Sequence, residues 1–286
     1  MRLWSAAIAA SLLMTPGSGG TAADFDIVLR RGRVVDGTGN PAFFADVAIK
    51  GSRIAVVGRV EGQAGSEFDM RGLVVAPGFV DVHTHVDELA DQPLAENFIR
   101  MGVTTVVTGN CGESAPDVGR FFADIERTGV TVNAATLVGH GTVRGRVMGG
   151  SFDREPTSDE LECMKREVAL AMRDGAIGLS TGLIYPPGSF ARTPEIVELA
   201  RVVAAHDGLY ASHMRNEGRE ILPALDEVFR IAREAGLRAQ VSHIKLSGPA
   251  AWGRADAVLD VIEQARAEGL DRSEERRVGK ECRSRW

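Results

Sequence analysis

Short apolar runs alternate with longer mixed stretches through the chain after residue 73. The apolar runs have the length and composition of buried strands, and the longer stretches begin near a Ser, a Thr or a charged turn and end at Gly, as helices do. Strands are predicted at 79–85, 104–110, 132–140, 176–182, 209–215 and 238–245, and the clearest helices at 157–175, 193–208 and 255–269. The first of these helices has no clean capping box in its Ser158-x-x-Leu161 start, which leaves its first residue open.

The repetition of an apolar strand followed by a helix is typical of a parallel sheet. We count six such units in residues 73–271, which predicts an α/β fold of the (β/α)8 type, a TIM-like barrel truncated after about six units. An open doubly wound sheet is the alternative architecture. It has less support because no Gly-rich dinucleotide fingerprint follows the first strand.

Residues 24–72 have a different pattern. Runs rich in Val and Ile are broken by turns at Gly37-Thr38-Gly39 and at Gly51-Ser52, with no helix-like stretch between them. This segment is therefore predicted to form part of a small N-terminal β-domain that precedes the barrel.

The N-terminus has the pattern of a secretory signal peptide. Arg2 is followed by a short apolar run at 3–14, and Thr21 and Ala23 occupy positions −3 and −1 of a cleavage point after Ala23. The apolar run is too short to be retained as a bilayer-spanning helix. We expect residues 1–23 to be a signal peptide and the mature protein to be periplasmic or secreted, with no membrane attachment. A disordered or buried N-terminal segment is the alternative interpretation.

The composition is that of an ordinary globular protein, with 44% hydrophobic and 25% charged residues. The formal net charge is −6, and no basic stripe is present. An acidic chain of this kind is a poor candidate for binding nucleic acid.

Four of the six histidines end predicted strands: His83 and His85 the first, His213 the fifth and His243 the sixth. Residues two apart on a strand point to the same face, so the first two imidazoles are expected side by side. In a parallel barrel the C-terminal strand ends meet at one mouth. Four imidazoles directed at one mouth predict a metal site.

Cys111 follows the second predicted strand in TGNCGES, at the same expected mouth, between residues that allow close backbone approach. A thiolate is a strong soft ligand for zinc, so ligation is favoured over a buried structural role. The remaining candidates are interpreted differently. His140 supports a ligand from behind or packs in a loop, His206 lies on the surface, and Cys163 packs within a helix.

Five motifs occur in the chain in this order: APGFVDVHTH at 76–85, TGNCGES at 108–114, GLSTGLIYPPG at 178–188, ASHMRNE at 211–217 and QVSHIKLSG at 240–248. The first resembles the first barrel strand of the amidohydrolase superfamily. Together they resemble the N-acyl-D-amino-acid deacylases, or D-aminoacylases, over residues 25–271. The resemblance implies zinc-dependent hydrolysis of the amide bond of a small N-acyl-D-amino acid.

The resemblance also implies roles for individual residues. Cys111, His213 and His243 would hold a tight zinc ion, and His83 and His85 would contribute to a second, weaker site that shares Cys111. In dihydroorotases and hydantoinases a carboxylated lysine bridges the two metals, but the fourth predicted strand here has no lysine, and the cysteine takes that role.

Two further residues would contact the substrate. Lys245, two residues past His243, would pair with the α-carboxylate, and Tyr185 would hydrogen-bond the scissile carbonyl or its oxyanion. Arg215, two residues past His213, is expected to face the same mouth and has no assigned role.

In this superfamily the proton is transferred by an aspartate at the end of the eighth strand, which six units do not include. Residues 272–286, RSEERRVGKECRSRW, have no strand or helix pattern and resemble the conceptual translation of a sequencing-adapter oligonucleotide; a natural basic tail is the alternative. We therefore expect the native frame and its catalytic aspartate to continue beyond residue 271, and the chain as written to be inactive.

Two other functions stay open at this point. One is another cysteine-bridged amidohydrolase, such as a dipeptidase. The other is a zinc-binding barrel without catalytic activity. A strand-end aspartate in the missing units would favour an enzyme, and its absence would favour a binding protein.

Overall fold

The computed structural model describes residues 23–150 and 152–270. The predicted signal peptide, apart from Ala23, and the tail at 272–286 lie outside these residues. The strands are β1 (Phe25–Val34), β2 (Phe43–Lys50), β3 (Arg53–Gly58), β4 (Ala64–Asp69), β5 (Val74–Val75), β6 (Phe79–Asp81), β7 (Val103–Thr108), β8 (Asn133–Thr136), β9 (Val138–Gly139), β10 (Gly178–Gly182), β11 (Leu209–His213) and β12 (Arg238–Val241).

The helices lie among the strands from residue 96 onwards. They are α1 (Glu96–Arg100), α2 (Val118–Thr128), α3 (His140–Met148), α4 (Ser158–Arg173), α5 (Thr193–Ala204), α6 (Ile221–Ala235) and α7 (Ala255–Ala267). None of these described helices combines the length and apolar character that crossing a bilayer requires.

The described residues divide into two compact units. The β unit contains the residues up to Phe79 together with Asn97–Thr104 and Thr131–Asn133, and the α/β unit contains the others. In the β unit, β1, β2 and β3 pair antiparallel, while β4 and β5 pair parallel to β1. The predicted turn at Gly51-Ser52 is the two-residue connection between β2 and β3, and Gly51 has a φ of 58°, a conformation glycine adopts without steric cost.

The α/β unit contains a parallel sheet with the strand order β12-β11-β10-β9. A further sheet has the order β6-β7-β8. Every predicted strand overlaps an observed one, although the third prediction is divided into β8 and β9 at Leu137. The strands of the described residues form separate sheets and do not close into a ring, so the eight-stranded barrel stays a prediction.

A large apolar core lies between the β9–β12 sheet and the helices beside it. Its fully buried members come from the strands and from α4, α5 and α6, and include Met164, Leu179, Ile196, Leu199, Tyr210, Leu225 and Val228. Helix α6 is observed in the structure but is not among the helices that the sequence predicts most clearly. Pro223 lies in its first turn, where the missing N–H has no helical partner to lose. The core fixes β10 and β11, and with them the segments that follow their C-terminal ends.

Helix α4 starts with a capping box, contrary to the sequence interpretation. The Thr157 hydroxyl accepts a hydrogen bond from the Glu160 N–H at 3.3 Å, and the Glu160 carboxylate accepts one from the Thr157 N–H at 2.7 Å. The sequence interpretation took Ser158 as the capping residue, one residue too late, so the Thr-x-x-Glu spacing was missed. These bonds satisfy two backbone donors that would otherwise lack partners.

We expect Thr157→Ala to lower the free energy of unfolding by about 1 kcal/mol, because the first turn of α4 loses its side-chain acceptor. Urea denaturation followed by circular dichroism measures this change. Ser158→Ala, at the next and equally exposed position, is the matched control and should leave the unfolding midpoint unchanged. Equal midpoints for the two variants would show that the capping bond does not stabilise the helix.

Candidate metal centre

The five predicted metal ligands come from segments at the C-terminal ends of four strands. His213 is the last residue of β11, and Cys111 follows β7 by three residues. His83, His85 and His243 were expected on strands but lie in irregular segments after β6 and β12, which end earlier than predicted. The alternation of side chains along a strand therefore does not explain their positions.

Hydrogen bonds to β7 hold the His83–His85 segment in place instead. The backbone N–H and the hydroxyl of Thr84 both donate to the Val107 carbonyl at 2.9 Å. The Asn110 side-chain amide donates to the same carbonyl at 2.9 Å. These buried bonds replace a regular strand ladder, and they end β6 early while keeping its histidines beside the end of β7.

The Cys111 thiol lies between imidazoles. Its Sγ is 3.3 Å from His83 Nε2 and 3.6 Å from His243 Nε2. The ligand atoms form two groups of three, and within each group all atoms lie within 4.8 Å of one another: His83, His85 and Cys111 in one, and Cys111, His213 and His243 in the other. The structure thus brings all five predicted ligands together, with Cys111 common to both groups.

The spacing and the donor chemistry fit zinc. Tetrahedral zinc, with bonds of about 2.3 Å to sulfur and about 2.0 Å to nitrogen, places neighbouring sulfur and nitrogen ligands roughly 3.5 Å apart. The observed separations of 3.3 Å and 3.6 Å lie on either side of this value. Zinc binds sulfur and nitrogen donors, whereas calcium and magnesium bind oxygen donors. One thiol and several imidazoles therefore favour zinc over these two ions.

A buried serine clamps the loop that carries the thiol. Ser180 Oγ accepts a hydrogen bond from Gly112 N–H at 2.9 Å and donates one to the Gly109 carbonyl at 2.5 Å. Between these points Cys111 has a φ of 57°, a left-handed conformation that costs energy for a residue with a side chain. A Cβ at Gly182 would lie 2.2 Å from the Cys111 carbonyl, so this close approach requires glycine.

Burial favours the neutral form of two of the nitrogen ligands. It lowers the pKa of His83 to about 4, and the neighbouring imidazoles of His243 and His85 lower it further. Burial also lowers the pKa of His213. The same burial raises the pKa of the Cys111 thiol, so it is a cation that would convert this group to a thiolate. Neutral imidazoles are the form that binds metals.

Glu217 belongs to the cluster and was missed by the sequence interpretation. Its side chain is buried, with Oε1 3.0 Å from His243 Nδ1 and 3.6 Å from His213 Nε2. Its Oε2 is 2.8 Å from Lys245 Nζ. The glutamate lies in the ASHMRNE motif, four residues past a strand-end histidine, but no periodicity in the sequence predicts that it turns back towards the cluster.

The two predicted substrate-binding residues lie next to the ligands. The Lys245 side chain is half exposed beside Glu217. The Tyr185 ring packs edge-on against His213, with centroids 5.2 Å apart, and its hydroxyl donates to the Cys111 carbonyl at 2.8 Å. Burial raises the pKa of Tyr185, so the phenol stays a neutral hydrogen-bond donor.

Arg215 does not face the ligand cluster as expected. Its guanidinium donates to the Glu227 carboxylate at 2.8 and 2.9 Å and to the carbonyls of Ser189 and Ala191. Because β11 ends at His213, the same-face argument does not extend two residues further. The arginine instead ties the chain after β11 to α6 and to the loop before α5.

The other sequence candidates belong to neither group of ligand atoms. His140 starts α3 instead of ending a strand; it is fully buried, and its Nε2 lies 2.9 Å from Glu195 Oε1, while the buried Arg144 donates to the other oxygen of that carboxylate. His206 is exposed, and Cys163 is an unpaired, partly buried residue of α4. The contact between His140 and Glu195 joins α3 to α5, so His140 has a role in packing.

A cavity of about 550 Å³ opens beside the thiol. Its lining includes Cys111, Glu113, Thr142, Tyr185 and Pro187. Small-molecule sites in proteins commonly have volumes of 300–1,000 Å³. The cavity therefore has room for a small acylated amino acid next to the candidate ligands.

Known proteins are similar to this chain in sequence and fold. The chain is 43% identical over 269 residues to the D-aminoacylase of Alcaligenes xylosoxydans xylosoxydans, covering 85% of this chain and 55% of that protein. It is 39% identical over 270 residues to the N-acyl-D-glutamate deacylase of the same organism, covering 86% and 55%. The chain thus spans about half the length of the curated relatives it matches.

Solved structures and a family model agree with these relatives. A crystal structure of D-aminoacylase superposes with a TM-score of 0.83 at 41% identity, covering 85% of this chain and 56% of that one. The zinc-containing N-acyl-D-glutamate deacylase from Bordetella bronchiseptica superposes with a TM-score of 0.82 at 37% identity, covering 86% and 57%. The model of the amidohydrolase family matches residues 66–278. The chain belongs to the amidohydrolase family.

Proposed function

We propose that the protein is a zinc-dependent hydrolase that cleaves the amide bond of N-acyl-D-amino acids and releases a carboxylic acid and a D-amino acid. The observation that carries this proposal is the gathering of four imidazoles around the thiol of Cys111. The substrate class is supported by relatives named as deacylases of N-acyl-D-amino acids, one of them solved with zinc and a phosphonate mimic of the tetrahedral intermediate. The whole fold in this proposal is a (β/α)8 barrel with a small β-domain.

In this proposal Cys111, His213 and His243 hold a tight zinc ion. His83 and His85 contribute to a second, weaker site that shares the sulfur. Zinc supplies a Lewis acid that polarises the acyl carbonyl and lowers the pKa of water. The protein contributes ligands that are already gathered, and burial lowers the pKa of two of them, His83 and His213, which favours the neutral form that binds a metal.

Two side chains bind the substrate itself. The Lys245 ammonium pairs with the α-carboxylate, and its half-exposed position leaves it open to a ligand. Tyr185 exchanges its hydrogen bond with the Cys111 carbonyl for one to the oxyanion that develops at the oxygen of the acyl carbonyl. Its raised pKa keeps the proton that this bond requires.

The same proposal includes the location of the enzyme. Arg2, the apolar run at 3–14 and the small residues before Asp24 support export through a signal peptide, residues 1–23. The mature enzyme would then act in the periplasm or outside the cell, where extracellular N-acyl-D-amino acids reach it directly.

We expect Cys111→Ala to remove tightly bound zinc, because the sulfur is common to both groups of ligands. Metal analysis after dialysis against a weak chelator measures the zinc content of the folded protein. Cys163→Ala is the matched control, since it removes the thiol of α4 and should leave zinc content unchanged. Full zinc content in folded Cys111→Ala would refute the proposed site.

The zinc-loaded product of the full-length gene should hydrolyse N-acetyl-D-methionine faster than N-acetyl-L-methionine by roughly 100-fold or more. The carboxylate held by Lys245 and the carbonyl held at the metal fix two substituents of the α-carbon, so only one enantiomer places its side chain without a clash. Initial rates on the separate enantiomers measure the ratio. Equal rates would reject the stereochemical assignment and leave the amidohydrolase assignment standing.

Lys245→Met should raise KM for N-acetyl-D-methionine roughly 10- to 100-fold, because a charge-assisted contact with the substrate carboxylate is lost. Steady-state kinetics on the zinc-loaded gene product give KM and kcat separately. Lys165→Met, which removes a lysine of α4 paired with Glu162, is the control and should change neither value. An unchanged KM in Lys245→Met would place the carboxylate elsewhere.

A further inference from the structure

Glu217 lies in the turn that follows β11, and only 6% of its surface is exposed. A buried carboxylate is costly unless charged or hydrogen-bonding groups compensate it. The groups around Glu217 therefore indicate the role of its side chain. Its carboxylate lies within ion-pair distance of three residues to which the proposed function gives a role in the site: His213, His243 and Lys245.

One carboxylate oxygen faces two ligand imidazoles. Oε1 of Glu217 lies 3.0 Å from His243 Nδ1 and 3.6 Å from His213 Nε2. All three atoms are buried, and none of them makes a hydrogen bond among the described residues, so their approach is one of ion-pair distance. Each of the two nitrogens therefore has the Glu217 oxygen as a nearby polar group that is free to accept its proton.

The arrangement selects which nitrogen of each ring faces a metal. His243 turns Nε2 towards the Cys111 sulfur at 3.6 Å, so Nδ1, which faces Glu217, is the nitrogen that carries the proton. In His213, Nε2 faces Glu217, which leaves Nδ1 for the cation. A carboxylate that faces the proton-bearing nitrogen of an imidazole orients the ring. It also makes the opposite nitrogen a better metal ligand.

The second carboxylate oxygen restrains the lysine. Oε2 of Glu217 is 2.8 Å from Lys245 Nζ, and the lysine side chain is otherwise half exposed. A free lysine samples many rotamers, so an ion pair to a buried, immobile partner confines its ammonium group to a small region beside the ligands.

From these contacts we propose that Glu217 is a positioning residue that couples the metal ligands to the carboxylate-binding lysine. Oε1 orients the imidazoles of His243 and His213, and Oε2 holds the ammonium of Lys245 at a fixed distance from them. A substrate bound to both the metal and the lysine then meets a preset spacing. This inference rests on the proposed function for the identity of the metal and of the substrate carboxylate.

The first test measures the zinc affinity of the full chain by competition with a chromophoric chelator. Glu217→Gln keeps the shape of the side chain and removes its charge, and we expect zinc affinity to fall roughly 10- to 100-fold. Glu195→Gln is the matched control, because Glu195 is equally buried and contacts two ionisable side chains, His140 and Arg144, neither of which is a candidate ligand. Circular dichroism checks that each protein is folded.

The outcomes separate this inference from the proposed function. If the wild-type chain binds zinc tightly and Glu217→Gln binds it equally well, the positioning role is overturned and the zinc site stands. An equal loss in Glu195→Gln would show general destabilisation and would also overturn it. A wild-type chain that does not bind zinc would overturn the proposed function and this inference together.

A second measurement uses only the wild-type chain, so its result does not depend on whether a variant folds. Long-range proton–nitrogen correlation spectra of the zinc-loaded wild-type chain identify which nitrogen of each imidazole is protonated. We expect His243 to bind zinc through Nε2 and to carry its proton on Nδ1. A spectrum in which Nδ1 of His243 is the metal-bound nitrogen would overturn the proposal.

Discussion

The candidate metal centre depends on the position of a single sulfur atom, and that position depends on hydrogen bonds made by a neighbouring strand. Ser180 of β10 binds the chain on both sides of Cys111, to Gly112 N–H and to the Gly109 carbonyl. These bonds hold the cysteine in a left-handed conformation that it would otherwise leave. The apolar core fixes β10, and the hydrogen bonds of Ser180 fix the loop relative to β10. The sulfur therefore stays between two imidazoles.

The residue types of the centre were predictable from the sequence because few chemical explanations fit them. Histidines at His83, His85, His213 and His243 each follow an apolar run, and the C-terminal ends of parallel strands lie on one side of a sheet. Cys111 occupies the same kind of position. The strands could also be found, since buried strands leave continuous apolar runs, although their ends could not.

Contacts that depend on irregular backbone were not predictable. Glu217 reaches His243 because the chain turns back after β11, and a turn of that kind has no periodic signal. Glu195 meets Arg144 from a position 51 residues away, through the packing of two helices. The early end of β6 follows from buried bonds made by Thr84. In each case a polar group with a distant partner decides the geometry, and local propensity has no information about distant partners.

The serine clamp has a consequence for the choice of ion. A loop tied at both ends resists movement of the sulfur, and two imidazole nitrogens lie 3.3 Å and 3.6 Å from that sulfur. Larger soft ions form longer bonds and need a wider cage, and on the side of the sulfur widening this one means breaking the bonds of a buried hydroxyl. The clamp of Ser180 therefore adds a requirement of size to the chemical preference of the donor set.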